Sequence, residues 1–166
     1  HLSIRRQRQM CIRDRKRTAY GVFPSGGRFD NNSAAPVSNP ALGARGAGIH
    51  PIMLAAYVDF MRAEAALTLG TAGDPKALLA AGITKHINYV RSFSVATPES
   101  AVITGLISDA EHARQRDSYV AFVNARYDAA ANANARMNVI GREYWLALYG
   151  NGHESYNLYR LSLIHI

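Results

Sequence analysis

Apolar positions recur with a helical period over the last two-thirds of the chain, whereas the first third has no period. From residue 51, Leu54, Tyr57, Met61, Ala65 and Leu69 return every three or four residues, which puts them on one face of a helix. Pro51 suits a first helical position, Ile49 and Leu54 are spaced for a hydrophobic staple, and Gly70 is placed as a left-handed cap. The pattern predicts a helix over 51–69. Asp74 followed by Pro75 is a second start signal, an N-cap and then a first helical residue. Leu79, Ile83, Ile87 and Val90 form the buried face of a helix running from about 75 to 93, with Lys76, Lys85 and Arg91 directed elsewhere. A link of about five residues makes these two helices an antiparallel hairpin.

Thr97-Pro98 breaks the pattern, and Val102–Ile107 is poorly patterned. Ser108-Asp109-Ala110-Glu111 is a capping box, and it opens a helix in which Tyr119, Phe122, Val123, Tyr127 and Ala130 repeat. The Asn132/Asn134 region interrupts it. A fourth helix carries Met137, Ile140, Tyr144, Trp145 and Leu148 on its buried stripe and ends at Gly150. Asn151 with Glu154 three residues on caps a fifth helix holding Tyr156 and Tyr159. No segment alternates as a strand does, so the expected class is all-α. Residues 18–50 are a long Gly/Pro/Asn-rich loop region, with Pro24-Ser25-Gly26-Gly27, Asp30-Asn31-Asn32-Ser33 and Gly43–Gly48.

Composition agrees with the helical pattern. Alanine numbers 27 of 166 residues, and 48% of positions are apolar, enough for a packed core. The formal charge of +7 points at first to a polyanion partner. Its location removes that inference. Residues 1–15 hold five arginines against Asp14, a net of +4, and 161–166 carry no Asp, Glu, Lys or Arg, so 16–160 nets only +3. The lone cysteine, Cys11, lies in the same tail, which leaves the body no disulfide framework and no cysteine-based zinc site. The longest apolar run, Ile52 to Val58, stops at Asp59, far short of a membrane span.

Catalytic chemistry finds little footing. Glu111 and His112 are adjacent and point about 100° apart on a helix, so they cannot share a ligand. His50, His86 and His153 fall on separate elements, and no HExxH or His pair four apart occurs. Glu64, beside the apolar face of its helix, has a general base as its active reading and a carboxylate bonded to a loop or an arginine as its structural one. Gly43–Gly48 lacks the Gly-Lys-Ser/Thr ending of a phosphate loop. Expected catalytic residues, metal ligands and cofactors are therefore none. Aromatic rings could stack on a ligand, and Tyr20, Phe23 and Phe29 in the glycine-rich loop are the candidate ligand-binding residues. Trp145 and Tyr144 fall on the buried stripe and are expected in the core.

Three segments together resemble one family. They are Tyr20-Gly21-Val22-Phe23-Pro24-Ser25-Gly26-Gly27-Arg28-Phe29-Asp30, the stretch Pro51 to Ala65 (PIMLAAYVDFMRAEA), and Arg142 to Arg160 (REYWLALYGNGHESYNLYR). Their order and spacing resemble the C-terminal part of SusD/RagB-like outer-membrane lipoproteins. The third is the most specific: an aromatic-rich helix, a Gly-Asn-Gly corner, then Glu-x-Tyr-Asn-x-Tyr-Arg. The resemblance covers about 18–160, and family members are several times longer, so it implies a fragment.

What the resemblance implies is an α-helical scaffold of tetratricopeptide-like hairpins and a non-enzymatic nutrient binder on the surface of Gram-negative bacteria. Such proteins cap a TonB-dependent SusC-like transporter and pass it oligosaccharides or, in some branches, peptides. The lipid-anchor cysteine would lie in a missing N-terminal part, so Cys11 is not that anchor, and no nucleic acid is expected as partner. Two departures stand out. After Arg160 the family continues with Arg or Thr, Gly and an aromatic-Pro pair, whereas this chain has Leu-Ser-Leu-Ile-His-Ile, and Met10–Arg15 has no family counterpart. Residues 1–15 therefore read as a non-native or a disordered basic tail, and 161–166 as a non-native tail, around a SusD-like helical-domain fragment at 16–160. The alternative function is a helical-repeat protein–protein interaction module.

Overall fold

A computed structural model describes residues 49–95 and 107–164, with side chains over 49–92 and 107–160. Five helices account for the regular structure of these residues: α1 Ala55–Leu69, α2 Pro75–Val95, α3 Asp109–Asp128, α4 Ala133–Ala147 and α5 Gly152–Ile164. Among the described residues there is no strand, and the all-α class holds. The expected break at Thr97-Pro98 and most of the stretch after it lie outside the described residues, as does the loop region 18–48.

The turn and cap signals at Gly70, Asp74, Ser108 and Asn151 hold, and Asn132, expected only as an interruption, caps the helix that follows it. Gly70 closes α1 with φ 66, the left-handed conformation that glycine takes without strain. Asp74 accepts from the backbone N–H groups of Lys76 and Ala77 at 3.3 and 3.1 Å. Ser108 accepts from Glu111 N–H at 3.3 Å, Asn132 from Ala135 N–H at 2.9 Å, and Asn151 from Glu154 N–H at 3.1 Å. The box at Ser108 is half closed, because the Glu111 carboxylate turns to Arg114 and Gln115 instead of reaching back.

Helix α1 starts four residues later than expected. Pro51 is fully buried, and Asn151 Nδ2 donates to the Ile52 carbonyl at 2.8 Å, a bond across 99 residues that holds the strap before α1 open. Leu54, at φ −111 and ψ 151, is the N-cap, with Tyr57 N–H donating back to its carbonyl at 2.9 Å. Pro51 is thus an anchored strap residue, and tertiary bonding overrides its preference for a first turn. The core face of α1 also differs: Ala56, Tyr57, Phe60 and Ala63 are buried, whereas Leu69 is 78% exposed. Leu54 and Met61 pack at the edge of the core.

Neighbouring helices are antiparallel, as paired residues show. Between α1 and α2, Phe60 meets Gly82, Asp59 meets Lys85 and Tyr57 meets His86. Between α2 and α3, Lys76 meets Asp128, Asn88 meets Arg116 and Arg91 meets Asp109. Between α3 and α4, Tyr119 meets Glu143 and Tyr127 meets Arg136. Helix α4 returns to α1, where the Tyr144 ring stacks on Phe60 at 5.4 Å and tilts against Tyr57 at 5.9 Å. The four helices close into a ring, and α5 packs on α4.

Phe60 sits at the centre of this ring. A Cβ added at Gly82 would lie 3.1 Å from its ring, so the glycine makes room for it in the middle of α2. Leu79 and Ile83 of α2, Val123 and Tyr127 of α3, and Ile140 and Leu148 at the end of α4 fill the remaining interior. Lys76, Lys85 and Arg91 of α2, expected to point away from the packing, reach across to Asp128, Asp59 and Asp109 and tie the helices together. Their long apolar stems allow a charged end to cross a helix interface.

Candidate functional site

A groove of about 490 Å³ lies between the start of α1 and the last turns of α2. Met53, Leu54 and Ala55 form one wall, and Lys85, Asn88, Tyr89 and Ser92, one side of α2, form the other. It is an apolar trough with a polar rim, a shape suited to non-covalent contact. Lys85 is not free to serve it fully. Its Nζ lies 2.6 Å from Asp59 Oδ2, an ion pair rather than an aligned hydrogen bond, and Arg62 approaches the other oxygen at 3.9 Å.

The helix interfaces also hold buried polar groups that the sequence pattern did not reveal. Asp59 is 4% exposed and Glu143 5% exposed, both in faces otherwise apolar. Tyr119 donates its hydroxyl proton to Glu143 at 2.6 Å. Burial, and then the Glu143 contact, push the Tyr119 hydroxyl up to about 12. Tyr57 is also pushed up to about 12, by burial and then by Tyr89. Tyr144 reaches about 12 through burial first, then the charges of Glu154, Tyr57 and Glu64. Burial lowers the affinity of His86 for its proton as it stacks on Tyr57 at 6.4 Å. These shifts all favour neutral side chains inside the ring. The one signal was at Asp59, a carboxylate set between Val58 and Phe60 in an apolar run; Glu143 follows Arg142 and has no such signal.

The candidate ligand-binding residues Tyr20, Phe23 and Phe29 lie outside the described residues. Of the late aromatics, Tyr144 is buried as expected, but Trp145 is 57% exposed and leaves the buried stripe. The reason is the ring geometry: Tyr144 faces α1, and the next residue along the helix is turned about 100° away. Tyr156 and Tyr159 are also exposed, with Arg160 over the Tyr156 ring at 5.8 Å. Phe122 of α3, expected on the buried stripe, is 54% exposed beneath Arg126. The histidines stay dispersed: His50 and His153 are exposed, and His112 opens α3. Among the described residues, no three His, Cys, Asp or Glu side chains converge as metal ligands, and no helix is long and apolar enough to cross a membrane.

By fold the described part is an all-α protein, two antiparallel hairpins closed into a ring with a fifth helix on the last. No family model, no curated protein and no solved structure matches the chain significantly.

Proposed function

We propose that the chain is a C-terminal stretch of a SusD/RagB-like nutrient-binding lipoprotein of the bacterial outer membrane. It works by offering a surface to an oligosaccharide or peptide and docking on a TonB-dependent SusC-like transporter, with no catalytic step of its own. The observation that carries this reading is the joining of two segments on which the resemblance rests. Asn151, from the Gly-Asn-Gly corner, both caps α5 and donates to the Ile52 carbonyl, while Tyr144 stacks on Phe60. Gly150 takes φ 90, which glycine alone adopts freely, so the corner has a structural demand for its sequence.

The tetratricopeptide-like character stays part of the proposal: α1/α2 and α3/α4 are antiparallel helix pairs, the unit from which such repeats are built. In a solenoid stack, however, each helix pair adds beside the previous one, whereas α4 here folds back on α1. The second reading, a protein–protein interaction module, is favoured by exposed apolar side chains along the strap and α1: Ile52, Met53, Val58 and Leu69.

Glycan and peptide arrays probed with the full-length gene product test the proposal. Binding to an oligosaccharide class supports nutrient capture. A clean negative on glycans together with peptide binding removes the sugar assignment, and binding of folded protein alone supports the second reading. Deleting residues 1–15 tests the origin of any nucleic-acid affinity, because salt-sensitive binding that survived in the +3 body would contradict a tail effect.

A further inference from the structure

The groove between the start of α1 and the last turns of α2 is lined asymmetrically in charge. Lys85 is the one charged residue in its lining, and none is acidic. Asp59 stands behind Lys85 and holds it: the carboxylate is 4% exposed, and Lys85 Nζ lies 2.6 Å from Oδ2. The contact is an ion pair without an aligned hydrogen bond, so charge steadies the ammonium while Asp59 does not take up its N–H donors. Arg62 approaches the same carboxylate at 3.9 Å. Two cations against one buried anion leave one positive charge beside the trough.

Asn88 follows Lys85 by one turn on the same side of α2. Its Oδ1 accepts from Arg116 at 2.9 Å, which orients the amide and leaves its NH2 end to donate. Both residues precede the last turn of α2, which ends at Val95, so the negative end of that helix does not oppose an anion there. On the facing wall, α1 begins at Leu54 with no side-chain cap and no acidic residue in its first turn, so its positive end is uncompensated. The rest of that wall is apolar, with Met53 56% exposed.

A single net positive charge at one end of an apolar trough complements a ligand that is apolar along its length and singly anionic at its tip. A sugar, with hydroxyls all round, would set unpaired polar groups against Met53 and Leu54. The volume, about 490 Å³, falls among small-molecule sites of about 300–1,000 Å³. We propose that this groove binds a small monocarboxylate with an aliphatic body, its carboxylate at Lys85 and Asn88 and its chain along Met53, Leu54 and Ala55. This site does not depend on the transporter reading, which stands or falls without it.

NMR titration of the 166-residue chain with octanoate, following the Met53 methyl signal assigned by Met53→Leu, tests this. The signal shifts saturably, and octanamide, of the same shape but neutral, binds about tenfold more weakly. The double variant Asp59→Asn/Lys85→Gln removes both charges of the pair, so no lone carboxylate stays buried, and it loses the preference for octanoate. The comparison of the two ligands itself needs no variant. No saturable shift at Met53, equal binding of octanoate and octanamide, or a preference that survives in the double variant overturns the proposal. Tighter binding of Nα-acetyl-glycyl-phenylalanine than of octanoate also overturns it, by making a peptide C-terminus the occupant.

Discussion

Helix α1 buries Ala56, Tyr57, Phe60 and Ala63 against α2 and α4, whereas α3, five residues longer, buries only Val123 and Tyr127. The two are fixed by different forces. Packing holds α1: its central ring fits over a glycine on one side and under a tyrosine on the other. Polar bridges hold α3 at both ends and in the middle. Arg91 donates to the Ile107 carbonyl at 2.6 Å and to Asp109 at 3.0 Å, Arg116 to Asn88 at 2.9 Å, Lys76 to Asp128 at 2.6 Å, and Tyr119 to Glu143 at 2.6 Å. The α1 side is thus the stiff part of the described molecule, and α3 is a strut clipped to it. Exposed bridges each contribute little, so the attachment of α3 rests on the few that are shielded.

Four substitutions or conditions separate the two modes, taken from the largest effect. Phe60→Ala removes the ring that α2 and α4 share and costs about 3–5 kcal/mol in denaturant unfolding, whereas Phe122→Ala on α3, half exposed, stays within about 0.5 kcal/mol. Equal losses would end the distinction. Alkaline titration comes next. Tyr57 and Tyr144 normally ionise near 10 and are pushed up to about 12 in the fold, so the folded state favours their protonated forms. Their contribution is fully present below pH 10 and disappears as pH rises from 10 to about 12, about 2–3 kcal/mol for each, read as a falling urea midpoint that Tyr57→Phe makes shallower.

Tyr119→Phe leaves Glu143 buried with its hydrogen bond gone, and costs about 1–2 kcal/mol. Hydrogen exchange should then quicken in α3 ahead of α1; faster exchange in α1 first would mean that packing, not this bond, holds the strut. Smallest is Asn132→Ala, which removes the cap of α4 for about 1 kcal/mol, measured as a thermal midpoint shift.

Much of the scaffold was legible because helix ends speak through single residues. Gly70, Asp74, Ser108 and Asn151 each do the local job expected of them, while Asn132, expected only to interrupt a helix, also caps the next. What stayed hidden depends on which neighbour each helix faces. A helix touching two partners buries a wide arc, so a one-stripe pattern misassigned Leu69 and omitted Phe60. Trp145 misled for a similar reason: its size suggests burial, but the α1 contact selects Tyr144 beside it. The strap before α1 could not be foreseen either, since the bond that opens it comes from Asn151. Asp59 figured only as the end of an apolar run, and Glu143, which follows Arg142, broke no pattern, so neither stood out as a buried carboxylate. The candidate rings Tyr20, Phe23 and Phe29 lie outside the described residues.

The functional reading rests on a likeness of motifs, and the gene itself tests it most directly. Sequencing the source locus on both sides of the coding segment should extend the reading frame upstream to a lipoprotein signal with its anchor cysteine, next to a gene for a TonB-dependent transporter. A frame that closes around these 166 residues, with unrelated genes on either side, would contradict the nutrient-uptake assignment.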